Sequence, residues 1–160
     1  MSSAPLAIPE HLFTCIDHVG IAVPDLDAAI ELYETVFGMR VLHQETNAEQ
    51  GVHEAMVSVG DSESCIQLLA PVDDDSTIAK FLDRSGPGLQ QLAYRVTDVE
   101  QVCEILRGRG LRLLYDVPRT GTADSRVNFI HPKDAGGVLV ELVEPARGRS
   151  QQEPAGVTAR

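Results

Sequence analysis

Four polar side chains interrupt apolar, strand-like runs in this chain: His18 in CIDHVGIAV, Gln67 in SCIQLLA, Gln91 in GLQQLAYRV and Glu141 in VLVELVE. Gln67 follows His18 by 49 positions and Glu141 follows Gln91 by 50. Each half of the chain therefore offers one polar residue on its first strand and one on its last. One imidazole, two amides and one carboxylate form a mixed nitrogen and oxygen donor set. Such a set suits a divalent ion of intermediate hardness, among Co²⁺, Mn²⁺, Mg²⁺, Ni²⁺ and Zn²⁺. With a single carboxylate in the set, the ion keeps a net positive charge and remains a Lewis acid. Each residue also has a plainer reading. His18 suits a core histidine bonded to backbone, the two glutamines can satisfy each other in an empty pocket, and Glu141 can point to solvent at a strand end.

Convergence of the four requires a repeated scaffold, and the sequence contains one. Residues 15–38 lie over residues 88–110 at a shift of 73, with His18 on Gln91, Asp25 on Asp98 and Leu26 on Val99. Apolar positions 26, 29, 30, 33 and 37 follow helical spacing. Asp25 and Asp98 are candidate N-caps, and Gly38 and Gly110 are candidate stops. Three Val-, Ile- and Leu-rich runs follow each helix: 39–45, 52–59 and 64–70, then 111–117, 126–131 and 138–144. Each half thus reads βαβββ, over residues 13–70 and 89–145. Residues 71–88 connect them and carry a short amphipathic segment, Ile78 to Leu82. Residues 1–12 read as a flexible N-terminus and 146–160 as a disordered tail. The fold class is α+β, with two tandem modules cupped around a shared cavity.

Composition narrows the partners. Thirteen basic residues against 24 acidic ones give a net charge of −11, which argues against nucleic acid or an anionic membrane, both of which select basic surfaces. No apolar stretch reaches about 18 residues, so no membrane span is expected. Three cysteines, Cys15, Cys65 and Cys103, are an odd number in apolar contexts, and read as reduced thiols of a cytoplasmic protein.

The runs IDHVGIAVPDLDAAIELYETVFG, NAEQGVHEAMV, IQLLAP, DDDSTIAKFL, GPGLQQLAYRV and LLYDVPRTGTADSRVNFIHPKDAGGVLVEL resemble the vicinal oxygen chelate (glyoxalase-like) superfamily and, within it, the methylmalonyl-CoA epimerase family. The resemblance spans roughly residues 14–145, and NFIHPK followed by GVLVEL is its most specific part. It implies the vicinal oxygen chelate fold and metal ligands at His18, Gln67, Gln91 and Glu141. The ion it implies is Co²⁺ first. The family reads GLHH where this chain has Leu89, Gln90 and Gln91, so an amide replaces an imidazole at the third ligand position and donates more weakly. The implied reaction is epimerisation of methylmalonyl-CoA or a close 2-alkylmalonyl-CoA. The ion polarises the thioester, and two bases, implied at Glu49 in NAEQG and at Glu141, exchange the proton on opposite faces of C2. The resemblance also implies a homodimer, in keeping with an exposed sheet edge.

Lys133 and His131 of the HPK run, with Ser125 and Arg126, are candidates for contacting an anionic acyl-CoA. The plainer reading is a turn at Pro132 with Lys133 in solvent. His43 and His53 are candidates to supply the missing ligand histidine, against a surface role on their strands. Asp73, Asp74 and Asp75 read as the solvated start of a helix, with acids favoured by its dipole. Two other readings of the whole chain compete with the epimerase. One is a diverged protein of the same fold whose metal site is weakened or lost and which handles another thioester or small molecule. The other is a glyoxalase-type isomerase or ring-cleaving dioxygenase; the dioxygenase needs two histidines and a carboxylate, and only His18 stands at a ligand position.

Overall fold

Asp25 and Asp98 cap helices as expected, their side chains accepting from the backbone N–H groups of Ala28 and Gln101. The computed structural model describes residues 7–147. In chain order it contains β1 (Phe13–Ala22), α1 (Leu26–Phe37), β2 (Arg40–Asn47), β3 (Val52–Ser58), β4 (Cys65–Pro71), α2 (Thr77–Ser85), β5 (Gly88–Val96), α3 (Val99–Gly108), β6 (Arg119–Thr120), β7 (Arg126–Ile130) and β8 (Val140–Glu144). Helix α1 stops at Gly38, whose φ of 64° places it in the left-handed region that glycine adopts without cost.

One eight-stranded sheet runs in the order β2-β3-β4-β1-β5-β8-β7-β6. Its two halves are mirror-ordered: β1 is parallel to β4 as β5 is to β8, and β1 and β5 join antiparallel at the centre. Val19 pairs with Leu92, residues related by the 73-residue repeat, so an approximate two-fold axis passes between them. The repeat extends to irregularities. Asp17 is the extra residue of a bulge in β1, and Gln90, 73 positions on, is the extra residue of a bulge in β5. Each bulge sits directly before a site residue, His18 or Gln91.

Strand parity separates core from site. Val57 of β3 and Leu68 and Ala70 of β4 pack under α1, which leaves Glu54, Met56 and Gln67 on the other face. Val140 and Leu142 of β8 pack with Val99, Val102 and Leu106 of α3, which turns Glu141 to that same open face. Helix α2 adds Ile78 to a cluster with Val52 and Leu69, and so covers one end of it.

Three expectations need correction. The run 111–117 is not a strand: only Leu113 bridges to Ile130, and the edge position falls to β6 instead. Side chains explain this. The fully buried Asn128 accepts from the Tyr115 N–H and donates to the Tyr115 carbonyl, and Arg107 donates to the carbonyls of Tyr115 and Asp116. These bonds satisfy the backbone that strand pairing would otherwise serve. The segment expected to be loose is anchored at two points: Ile8 packs against the α3 cluster, and Leu12 is fully buried with its carbonyl accepting from Thr97, while residues 9–11 are exposed. The acids Asp73–Asp75 precede the helix; Asp73 accepts from the Asp75 N–H in a turn, and Ser76 is the cap of α2. The expected tail lies outside the described residues from position 148 onward. Asn128→Ala is expected to cost about 1–3 kcal/mol, because it leaves the Tyr115 N–H without its acceptor while the Tyr115 carbonyl keeps only Arg107; urea denaturation measures it.

Candidate active site

The open face of the sheet brings His18, Gln67, Gln91 and Glu141 together. His18 Nε2 lies 3.0 Å from Glu141 Oε2. The Gln91 amide nitrogen donates to Gln67 Oε1 at 3.0 Å and to Glu141 Oε2, and lies 3.2 Å from His18 Nε2. His18, Gln67 and Glu141 are buried. Gly20, the cross-strand partner of Gln91, makes room: a Cβ there would lie 2.4 Å from Gln91 Cγ.

The bulge residue Asp17 sets the histidine. Its carboxylate takes the His18 Nδ1–H at 2.7 Å and also accepts from Arg95 Nε at 2.8 Å. Nδ1 therefore carries a proton and Nε2 faces the cluster, the orientation a ligating histidine needs. Burial works against charging the ring, but the Glu141 and Asp17 carboxylates outweigh it and hold its pKa at about 10. Asp17 stays below the usual carboxylate range: burial opposes ionisation, and His18 and Arg95 overcome it.

Glu54 completes the site, and it was not singled out from the sequence. It is 3% exposed, and its Oε2 accepts from Gln67 Nε2 at 2.9 Å. Its Oε1 accepts from the Thr122 hydroxyl at 2.7 Å, while the same hydroxyl oxygen accepts from Gln67 Nε2 at 2.9 Å. Burial raises the Glu54 pKa to about 8, helped by the charge of Glu45, its cross-strand partner. Thr122 sits in a strained turn, where Ala123 and Asp124 both hold positive φ, 54° and 58°. The Ala123 N–H donates to Glu45, so this turn holds both carboxylates of the pair. Replacing Thr122 with Val removes a donor from Glu54 and an acceptor from Gln67. We expect kcat to fall about ten- to a hundredfold with KM nearly unchanged, since two hydrogen bonds worth about 0.5–1.5 kcal/mol each are lost; steady-state kinetics checks it.

Glu49 does not reach this cluster. It is exposed in the β2–β3 turn, 3.9 Å from Arg119, whose guanidinium lies over the Tyr115 ring. The signal that separates the two acids is strand parity: Glu54 is the lone acid in the apolar run VHEAMVSV, as Glu141 is in its own central positions. His43 bonds Glu45 and lines the cavity beside the cluster, and His53 bonds Thr46.

A cavity of about 900 Å³ opens from the cluster, with His18, Glu141, Thr122 and Met56 in its wall. Among the expected substrate contacts only Ser125 lines it. Arg126 is tied to Glu100 and Glu144, and His131 and Lys133 form a 3-10 turn in which His131 Nδ1 accepts from the Lys133 N–H. The guanidinium groups in the cavity wall are those of Arg95, which is paired with Asp17, and Arg147. Arg95 was visible in the sequence two and four positions beyond Ala93 and Gln91 on one strand face. Cys15 and Cys65 also line the cavity and Cys103 is buried, all three free.

In donor chemistry the cluster fits a divalent ion. An oriented imidazole nitrogen, a buried carboxylate and two amides converge on one point, provided Gln91 presents its oxygen there. Among the described residues no three His, Cys, Asp or Glu side chains gather as a metal site, so binding here depends on the amides.

A family model described as the glyoxalase/bleomycin resistance protein/dioxygenase superfamily matches residues 17–129. The crystal structure of methylmalonyl-CoA epimerase from Mycobacterium tuberculosis superposes with a TM-score of 0.83 at 58% identity, covering 88% of this chain and 93% of that one. A variant of the Streptomyces coelicolor methylmalonyl-CoA epimerase, in complex with 2-nitronate-propionyl-CoA, gives a TM-score of 0.81 at 45% identity, covering 84% and 99%. The ethylmalonyl-CoA/methylmalonyl-CoA epimerase of Cereibacter sphaeroides is 35% identical over 129 residues, covering 79% of this chain and 95% of that protein.

Proposed function

Because this chain belongs to the glyoxalase/bleomycin resistance protein/dioxygenase superfamily and, within it, to the methylmalonyl-CoA epimerases, we propose that it inverts C2 of methylmalonyl-CoA by passing a proton between Glu54 and Glu141. The observation that carries this assignment is the chain of contacts Glu54–Gln67–Gln91–Glu141. The two carboxylates come from opposite halves of the fold and stand at opposite ends of an amide pair. A substrate carbon placed over that pair meets one acid on each face.

The step balances with one acid ionised and the other protonated. With its pKa near 8, Glu54 starts protonated at neutral pH. Glu141 takes the C2 proton of one epimer, and the electron pair of the broken C–H bond moves into the thioester carbonyl. Glu54 then gives its proton to the opposite face. The product state has Glu54 ionised and Glu141 protonated, which is the starting state for the other epimer. Thr122 and Gln67 hold the Glu54 carboxyl in place, and burial keeps its pKa near working pH.

Proteins of this superfamily generally use a divalent metal. In this chain His18, Gln67, Gln91 and Glu141 would hold it, with Co²⁺ the ion favoured by family resemblance. The chemistry such an ion supplies is Lewis-acid polarisation of the substrate's thioester and carboxylate oxygens, which acidifies C2–H. Arg95 and Arg147 in the cavity wall suit the anionic acyl-CoA, and Ser125 lines the same cavity. No helix among the described residues is long and apolar enough to cross a membrane. Reduced cysteines accord with a cytoplasmic setting, and the exposed Ile16, Leu42 and Leu89 with a homodimer.

The test is to incubate a single epimer of methylmalonyl-CoA with the protein in deuterated water. Conversion to both epimers, with one deuterium at C2, is the expected result. Absence of both racemisation and exchange, with Co²⁺ supplied, would remove the proposal.

A further inference from the structure

The point on which the donors converge is filled by an atom of the protein itself. Gln91 Nε2 lies within hydrogen-bonding distance of Gln67 Oε1, Glu141 Oε2 and His18 Nε2. Its orientation follows from its neighbours. Gln67 donates through its nitrogen to Glu54 and Thr122, which turns Gln67 Oε1 inward. Glu141 Oε2 is also an acceptor. Two acceptors facing one amide call for its NH₂ group rather than its oxygen. Gly20 permits the pose, since a Cβ at that position would come within 2.4 Å of Gln91 Cγ.

We infer that Gln91 is a built-in competitor for the cation: its amide nitrogen occupies the ligand-convergence point and donates to Gln67 Oε1 and Glu141 Oε2 without a metal. An ion entering the site must displace the nitrogen, break its bonds to Gln67 and Glu141, and either turn the amide through a half rotation or push it aside. Gln91 thus opposes binding by stabilising the metal-free form, and its oxygen returns only the weak donation of an amide. An ordinary fourth ligand acts in the opposite direction. The inference rests on the metal-assisted reading above and deepens it, by assigning the third ligand position an inhibitory part in ion uptake.

The two possibilities predict opposite signs for one substitution. Wild type and Gln91→Ala, both stripped of metal, are titrated with Co²⁺ by calorimetry, and their melting is followed with and without Co²⁺. A competitor predicts that Gln91→Ala binds Co²⁺ as tightly as wild type or up to about tenfold more tightly, the equivalent of one released hydrogen bond. It also predicts that the metal-free variant melts lower and gains more from Co²⁺. Weaker Co²⁺ binding by Gln91→Ala overturns the inference. Gly20→Ala provides a second reading through an intact Gln91. Its new methyl displaces the side chain, so undiminished Co²⁺ affinity is expected, and diminished affinity counts against the inference. These affinities are read without substrate. A failure of epimerisation and deuterium exchange in wild type would strike the functional reading and leave the sign of the Gln91 effect standing.

Discussion

Glu54→Gln is expected to lower epimerisation by about a thousandfold, within the range for loss of a positioned acid or base. The amide keeps the shape and the contact with Thr122 but can neither take nor give the proton. The loss has a signature. The epimer whose C2 hydrogen faces Glu141 should still exchange it for deuterium without inverting, while the other epimer exchanges slowly or not at all. NMR of each epimer in deuterated water reads this directly. Equal loss of exchange from both epimers would mean that Glu54 acts through the architecture of the pocket rather than on one face of the carbon. Glu49→Gln serves as the comparison and should leave both reactions unchanged, because an exposed ion pair with Arg119 contributes little.

Glu141→Gln should give the mirror-image result: an epimerisation loss of similar size, about a thousandfold, with exchange surviving in the epimer that Glu54→Gln cannot exchange. The two variants part company in metal binding. Glu141 is the only anion in the donor set and the direct partner of His18 at 3.0 Å, so its loss should sharply weaken Co²⁺ binding. Glu54 touches the set only through Gln67, and its variant should bind Co²⁺ like wild type. If both variants lose the metal equally, Glu54 belongs to the ligand group and the division of labour proposed here is wrong.

The features legible in the sequence were those with periodicity. The 73-residue repeat carries the strand–helix start of each half and both helix caps, because each is a local pattern written twice. His18, Gln67, Gln91 and Glu141 stand out as polar breaks in apolar strands, and the parallel pairs β1–β4 and β5–β8 bring them to one face. Glu54 obeys the same logic but was passed over for Glu49 in the neighbouring motif. Both acids lie in one matching stretch, and only the pairing of β3 with β4, which sets Met56 beside Gln67, fixes which of them faces the site. Asp17 and Thr122 were hidden for a different reason. A bulge and a left-handed turn place them, and neither leaves a periodic trace.

The surface contacts depend on partners far along the chain. Arg126 reads as a free cation until Glu100 and Glu144 are found beside it. The run 111–117 has strand composition, yet Asn128 and Arg107 hold its backbone with side-chain bonds. Such long-range satisfaction of backbone groups overrides local propensity.

The most direct test of the two-carboxylate account is a crystal structure of this protein with 2-nitronate-propionyl-CoA, the compound held by the Streptomyces coelicolor relative. Its C2 should lie between the Glu54 and Glu141 carboxylates, about 3–3.5 Å from an oxygen of each and on opposite faces. Finding both carboxylates on one face, or Glu54 turned away with another group in its place, would contradict it.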